Sequence, residues 1–188
     1  MSTEQGSQPE TTPEEPAAPR PKRRVLVLAV VALLAYVLDQ VTKAVVVSNL
    51  EGHAPVRALG GLVYLQLLRN PGAAFSMATG MTWVLAIVAI GVVVTLIWFA
   101  KRLRSVGWAI GLGLVLAGAL GNLTDRLFRA PGPLLGHVVD WISVFEPDGQ
   151  AWPVFNVADS CICVGAVLIV LLSLLGRDYD GTKRAEKK

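Results

Sequence analysis

Four long apolar runs, separated by polar segments, dominate the chain. They occupy residues 25–47, 81–100, 106–123 and 155–175. A helix needs about 20 predominantly apolar residues to cross the hydrocarbon core of a bilayer, and each run comes close to that length or exceeds it. The pattern therefore predicts an α-helical integral membrane protein with four transmembrane helices.

Two of the connecting segments are long enough to hold structure of their own. The segment 48–80 contains Gly60 and Gly61 followed by the sequence LVYLQLL, whose β-branched and aromatic content predicts a short strand or two. The segment 124–154 is rich in Pro and Gly and contains the sequence VVDWI at 138–142. We expect these two loops to lie on the same side of the membrane.

The composition supports a membrane protein and argues against a soluble or nucleic-acid-binding one. Hydrophobic residues make up 53% of the chain and charged residues 16%, which leaves too little polar surface for a soluble domain of this size. The net charge of +3 does not indicate nucleic acid, because most Lys and Arg residues flank the apolar runs. Such flanking charges are typical of membrane anchoring.

The distribution of basic residues predicts the orientation. Twelve Lys and Arg residues lie on the N-terminal segment, the loop 101–105 and the C-terminal segment, against four in the two long loops. Since basic residues accumulate on the cytoplasmic side, both termini should be cytoplasmic and both long loops extracytoplasmic. Residues 1–24 should be a cytoplasmic tail, disordered over its polar first 19 residues. Residues 25–176 should form the membrane domain, and 177–188 a basic cytoplasmic tail.

The first span carries charges near its outer end. Asp39 and Lys43 are four residues apart, so they share one helix face and can pair. A charge in hydrocarbon costs at least about 2.5–3.5 kcal/mol on insertion scales, and it therefore needs a partner or a wet cavity. Two interpretations stay open: a self-neutralised structural pair, or a pair that holds other polar groups in place.

Further polar residues lie at the same depth. Asn122, Asp125 and Arg126 close the third span on one helix face, while Asn156 and Asp159 open the fourth. Asp159 lies about a turn inside its apolar run, deeper than a helix cap requires. Three carboxylates should converge there, because the second long loop adds one more acid between apolar neighbours and hence at the membrane surface: Asp125, Asp140 and Asp159.

These residue types favour acid–base chemistry by a pair of carboxylates. Two close carboxyl groups in a poorly solvated site can share one proton, so one acts as base and the other as acid on a water that attacks a peptide carbonyl. We favour Asp140 with Asp159, because Asp125 has Arg126 beside it and Lys43 at the same depth, although spacing alone leaves the pair open. The two histidines, His53 and His137, lie far from any suitable serine, and neither a metal site nor a cofactor is expected.

Five short sequence blocks contain most of these polar residues and occur in order along the four spans. They are DQVTK at 39–43, NPGAAF at 70–75, GNLTDR at 121–126, VVDWI at 138–142 and FNVAD at 155–159. Together they resemble the blocks of the bacterial lipoprotein signal peptidases, or signal peptidase II, a family of membrane aspartic peptidases. The resemblance covers about residues 25–176. It departs from the common pattern at Trp141, where family members often have Phe, and in the long N-terminal tail.

The resemblance implies an endopeptidase that removes signal peptides from diacylglyceryl-modified prolipoproteins, cleaving N-terminal to the lipidated cysteine. It implies Asp140 and Asp159 as the catalytic pair and a small extracytoplasmic β-sheet in the first loop. It also implies a site at the outer surface of the bacterial plasma (inner) membrane, contact with membrane lipid, and inhibition by globomycin-type peptides. A monomer is expected, and the sequence leaves the oligomeric state open. The implied substrate-binding or supporting residues are Asp39, Lys43, Asn70, Gly72, Asn122, Asp125, Arg126 and Asn156.

Two other functions are compatible with intramembrane charges. A small four-helix transporter or channel is the main alternative, since Asp39 and Lys43 could mark an ion path and Asn70-Pro71 superficially resembles a re-entrant loop. Against it, the polar residues cluster at one face of the membrane and none marks a path through the inner half. The other alternative is a non-enzymatic scaffold whose polar residues bind partner helices.

Overall fold

The computed structural model describes residues 22–72 and 81–182. Four helices and a small sheet make up this part of the chain, in agreement with the predicted fold class. The expected disordered tail, the AAF portion of the block at 70–75 and the last four basic residues of the C-terminal tail lie outside the described residues. In chain order the elements are α1 (Val25–Leu50), β1 (Val56–Ala58), β2 (Val63–Asn70), α2 (Thr82–Ala100), α3 (Val106–Phe128), β3 (Val138–Val144) and α4 (Val157–Leu174).

All four helices are long and apolar enough to cross a membrane. Two of them extend beyond the predicted spans: α1 continues to Leu50, and α3 continues through the polar block to Phe128. Conversely, α4 begins at Val157, two residues after the predicted start of its span. The polar blocks of the third and fourth spans are therefore mostly helical, which fixes their side chains more firmly than a loop would.

Helix α3 is the centre of the bundle. Its most apolar window is 56% buried, against 11–17% for the other three helices, which expose their side chains as lipid-facing helices do. Small residues allow this packing: a Cβ on Gly118 would lie 2.3 Å from the carbonyl oxygen of Ala158 on α4. Glycine at such contacts lets helix backbones approach closely in membranes. Helix α4 therefore packs closely against α3.

The sheet is antiparallel with strand order β1-β2-β3. Strands in the first long loop match the prediction, whereas β3, from the second loop, was not predicted as a strand. Leu68 of β2 lies opposite Asp140 of β3, just after an irregularity in the register that begins at Leu65. A bridge between Ile142 and Phe155 then ties β3 to the segment that enters α4. The sheet thereby joins both long loops above the bundle.

The other end of the bundle gathers the chain segments near the termini. The backbone N–H of Arg24 donates to Leu103 O, and the N–H of Arg104 donates to Tyr179 O. The indole N–H of Trp108 donates to Arg177 O, and its ring packs against Tyr179. We call this the terminal end of the bundle and the opposite end, which carries β1–β3, the sheet end.

Candidate active site

A buried lysine joins two carboxylates at the sheet end. Lys43 is fully buried, and its Nζ lies 2.9 Å from Asp39 Oδ2 and 2.8 Å from Asp125 Oδ2. It also donates a hydrogen bond of 3.1 Å to Asn122 Oδ1. The pair predicted within α1 is therefore present, but Lys43 extends it to α3. A buried ion pair stabilises a structure only when such additional partners satisfy the charges, because desolvation otherwise exceeds the attraction.

The second cation at Asp125 differs from the sequence-based expectation. Asp125 pairs with Arg129, one helical turn later, and not with its neighbour Arg126. Arg126 points elsewhere: it donates to the carbonyl oxygens of Asn122, at 3.2 Å, and Gly72, at 3.1 Å. Asp125 and Arg126 are about 100° apart around the helix, so their side chains leave it in different directions although both lie near Asn122. The i, i+4 spacing of Asp125 and Arg129 is the signal that sequence reasoning missed.

Each carboxylate bound to Lys43 also accepts a backbone hydrogen bond from another element. Asp39 Oδ1 accepts the N–H of Ala158 at 2.9 Å, and Asp125 Oδ2 accepts the N–H of Val139 at 3.2 Å. Ala158 immediately precedes Asp159, and Val139 immediately precedes Asp140. One lysine thus connects the backbones that carry the two remaining aspartates. Gln40, the polar residue next to Asp39 in the first span, adds a hydrogen bond to Asp39 Oδ2 at 3.0 Å.

Asn156 links the two remaining aspartates. Its Nδ2 donates to Asp140 Oδ1 at 2.7 Å, and its backbone N–H donates to Asp159 Oδ2 at 3.2 Å. Asn156 is also the N-cap of α4, accepting the backbone N–H of Asp159 at 2.9 Å. Asn122 completes the link by donating to Asp159 Oδ1 at 2.8 Å. Two asparagines therefore fix both carboxylates with neutral donors.

The position of Asp159 corrects one expectation. Asp159 is the third residue of α4 and forms a capping box with Asn156, so it does serve the helix cap. The sequence argument placed it too deep because the apolar run begins at Phe155, two residues before the helix. Its second oxygen still reaches Asn122 on α3. Asp159 therefore combines capping with membership of the polar cluster.

Asp140 lies in β3 and is 2% exposed. Its Oδ2 accepts a hydrogen bond of 2.8 Å from the Nδ2 of Asn70, at the end of β2. Burial, reinforced by the nearby charge of Asp159, raises the pKa of the Asp140 carboxyl to about 7. The hydrogen bonds from Asn70 and Asn156 and the charge of Lys43 oppose that rise in pKa. A carboxyl group with such a pKa can hold or release a proton near neutral pH.

Both aspartates line one cavity of about 530 Å³ at the sheet end. Four other predicted residues line it as well, whereas Asp39, Lys43 and Asp125 lie behind it. Its remaining walls are largely apolar, including Trp152 and residues of the first turns of α4. In the described part of the chain, no three His, Cys, Asp or Glu side chains gather as a metal site. The four other predicted residues that line the cavity are Asn70, Gly72, Asn122 and Arg126.

These features define a class of protein: a four-helix membrane protein in which a buried polar network presents two aspartates to a cavity at one end. The family model for signal peptidase (SPase) II matches residues 31–175. The chain therefore belongs to the signal peptidase II family and is a membrane peptidase. Membership of a peptidase family argues against both the transporter and the scaffold alternatives.

Similar proteins agree with this assignment. The chain is 53% identical to a lipoprotein signal peptidase of Rhodococcus jostii (strain RHA1), over 94% of this chain and 87% of that protein. It is 54% identical to a lipoprotein signal peptidase of Mycobacterium tuberculosis (strain H37Rv), over 90% of this chain and 82% of the relative. A bacterial membrane enzyme, solved by the in meso method at 2.3 Å resolution, is similar in structure with a TM-score of 0.71 and 26% identity. That match covers 90% of this chain and 98% of the solved one.

Proposed function

We propose that this chain is an aspartic endopeptidase that removes signal peptides from diacylglyceryl-modified prolipoproteins, with Asp140 and Asp159 as its catalytic pair. The observation that carries the proposal is the different environment of four aspartates, of which Asp159 is half-buried and the other three are buried. Asp39 and Asp125 pair with cations, whereas no salt bridge between described residues involves Asp140 or Asp159. The latter two accept hydrogen bonds from asparagines and line the cavity.

Such a pair performs hydrolysis by sharing one proton. The ionised aspartate takes a proton from a water molecule, whose oxygen attacks the carbonyl carbon, while the protonated aspartate gives its proton to the carbonyl oxygen. In the second step the aspartate that holds the proton gives it to the nitrogen, and the other aspartate takes a proton from a hydroxyl of the tetrahedral intermediate. The C–N bond breaks, and the new carboxyl and amine separate. The pair ends with one proton, as it began. The proton belongs to the pair as a whole, so neither aspartate is assigned the acid role alone.

The supporting residues then divide into two groups. Asn70, Asn122 and Asn156 brace the pair directly, and Arg126, on the cavity wall beside Gly72, is suited to bind carbonyl groups of the substrate. The second group lies away from the cavity and consists of Lys43, Asp39 and Asp125. It affects the pair indirectly, because its two carboxylates accept the backbone N–H groups of Ala158 and Val139. We infer that they set the separation of the two catalytic carboxylates. Accurate placement of reacting groups accounts for a large part of enzymatic rate enhancement.

The substrate follows from the site and from the relatives, which are described as lipoprotein signal peptidases. The cavity combines a polar floor at the aspartates with apolar walls along α4. A signal helix can lie in the bilayer beside the bundle, with its lipid chains in the same leaflet and its scissile bond at the aspartates. Cleavage would then fall N-terminal to the lipidated cysteine. Globomycin-type peptides would inhibit by filling this cavity.

The orientation proposed is a bacterial plasma membrane protein with the sheet end outside and the terminal end in the cytoplasm. The charges support it: basic residues at the terminal end include Lys22, Arg23, Lys101 and Arg102. Residues 25–176 would then be the four-span peptidase domain, with residues 1–24 and 177–188 as cytoplasmic tails. This arrangement places the aspartates where water is available without crossing hydrocarbon.

The test is cleavage of a purified diacylated prolipoprotein by Asp140→Asn and Asp159→Asn variants. Each change keeps the shape of the side chain but removes the proton exchange, so both variants should lose at least about 1,000-fold in rate. Asp148→Asn is the matched control, since Asp148 is exposed at the sheet end and its positive φ of 58° suits asparagine. Wild-type activity in either Asp140→Asn or Asp159→Asn would remove that residue from the pair.

A further inference from the structure

A second cavity lies between α1 and α2, towards the terminal end. Both helices pack on α3, but they make few contacts with each other. The resulting cleft has a volume of about 460 Å³ and an almost entirely apolar wall. We call it the α1–α2 cleft. Its lining includes Leu28, Ala32, Leu33, Ile97, Leu116 and Leu120.

The cleft has the length of one membrane leaflet. Along α1 its lining runs from Val25 to Tyr36, which corresponds to about 17 Å at the helical rise of 1.5 Å per residue. Half of a hydrocarbon core of about 30 Å is about 15 Å. An apolar groove of this length matches an acyl chain of one leaflet.

The mouth of the cleft is basic. Lys101, at the end of α2, belongs to the lining and is exposed. Three further basic residues, Lys22, Arg23 and Arg24, directly precede Val25, the first residue of α1 in the lining. Cations at the mouth of an apolar cleft are complementary to a lipid phosphate above an acyl chain. Basic pockets between membrane helices bind anionic headgroups in this way.

We propose that the α1–α2 cleft is a binding site for an anionic phospholipid of the leaflet at the terminal end. One acyl chain lies along the cleft against α3, and the phosphate is held by Lys101. This site is separate from the proposed catalytic cavity, since the linings of the two cavities share no residue. The bound lipid would fill the gap that the helices leave and so stabilise the position of α2 against α1.

The experiment measures lipid retention by the full chain. Delipidated protein is titrated with phosphatidylglycerol or phosphatidylcholine, and bound lipid is counted by native mass spectrometry alongside the melting temperature. Wild type should bind phosphatidylglycerol at least about fivefold more tightly than phosphatidylcholine, and phosphatidylglycerol should raise the melting temperature more. Lys101→Gln should abolish that preference. Ala29→Trp, which places a large ring in the cleft, should reduce the binding of both lipids.

Arg102→Gln is the matched control. It removes the same charge from the adjacent position, where Arg102 lies over the ring of Trp98 and outside the lining. Equal retention of the two lipids by wild type would overturn the proposal, as would equal losses in Lys101→Gln and Arg102→Gln. Two other occupants of the cleft would give different results, and either result would also overturn the proposal. Deletion of residues 1–21 would raise lipid uptake if that segment filled the cleft, and a second copy would appear as a dimer that Ala29→Trp dissociates.

Discussion

Asp39, in the middle of α1, accepts the backbone N–H of Ala158, the residue that precedes Asp159 at the start of α4. The contact joins positions 119 residues apart. It turns the carboxylate of one helix into a cap for another, because Ala158 lies in the first turn of α4, where backbone donors lack partners within the helix. The position of Asp159 therefore depends on the charge balance at Lys43.

The first prediction concerns that charge balance. Lys43→Met should destabilise the protein by about 3–5 kcal/mol, because two buried carboxylates lose a cation. Adding Asp39→Asn should recover part of the loss, since the amide oxygen can still accept the N–H of Ala158 without an unpaired charge. Thermal unfolding in detergent of wild type, the two single variants and the double variant measures the coupling energy between Lys43 and Asp39. Strictly additive costs would show that Lys43 and Asp39 do not act together.

The second prediction tests the space that Asp39 needs. A Cβ on Gly121 would lie 2.4 Å from Asp39 Oδ2, so Gly121→Ala should push that carboxylate away from Ala158 and reduce the cleavage rate at least about tenfold. Gly91→Ala on α2 is the control, because a Cβ there meets nothing within 4 Å. It should be neutral or stabilise α2 by up to about 1 kcal/mol. Equal activity in the two variants would contradict the role assigned to Asp39.

The third prediction is the pH dependence. The raised pKa of Asp140 means that the folded chain binds this proton more tightly than the unfolded chain, whose carboxyl has a pKa near 3.8. The associated stability is complete below about pH 3.8 and is lost as the pH rises through about 7. Relative to wild type, Asp140→Asn should therefore become more stable as the pH rises through this range. Cleavage by wild type should decline above about pH 7, as the pair loses its shared proton.

The fourth prediction moves that alkaline decline. The hydrogen bond from Asn70 lowers the pKa of Asp140 by stabilising its ionised form. Asn70→Ala should therefore shift the alkaline limb of the pH–rate profile to higher pH, whatever its effect on the maximal rate. A profile that falls in rate without any shift would mean that Asn70 contacts the substrate and does not tune Asp140.

The fifth prediction separates the two tasks of Asn156. Serine is as good an N-cap as asparagine, so Asn156→Ser should keep α4 intact, while the donor to Asp140 is lost. A hydrogen bond to a charged group contributes about 1.5–3 kcal/mol, which corresponds to a fall in kcat of about 10- to 100-fold. The melting temperature and kcat, measured together, test this. A variant that loses stability and keeps kcat would assign Asn156 to capping alone.

The sequence predicts the four helices well, because lipid imposes a long apolar run on every spanning helix. It also predicts the pair of Asp39 and Lys43, which are neighbours on one helix face. It does not predict β3, since VVDWI is a short apolar sequence whose strand character depends on pairing with β2. Local spacing contains no information on such long-range contacts.

The arrangement at the aspartates is harder to predict for the same reason. Asn156 touches Asp140 and Asn122, which lie on other elements, and only the packed bundle brings them together. Arg129 is different, because its spacing of four residues from Asp125 on the same helix is a local signal that the sequence contains. The contacts of Asn156 depend on tertiary packing, whereas the pair of Asp125 and Arg129 depends only on helix geometry.

The pairing of Asp39 with Lys43 inside a single helix has a consequence for biosynthesis. During translation α1 enters the membrane before α3 and α4 exist, and its two charges then have only each other. Being already neutralised, they lower the cost of releasing α1 into lipid. The arrival of α3 adds Asp125, and the arrival of α4 adds the N–H of Ala158. The network can thus assemble in the order in which the helices are synthesised, and no stage leaves an unpaired charge in the bilayer.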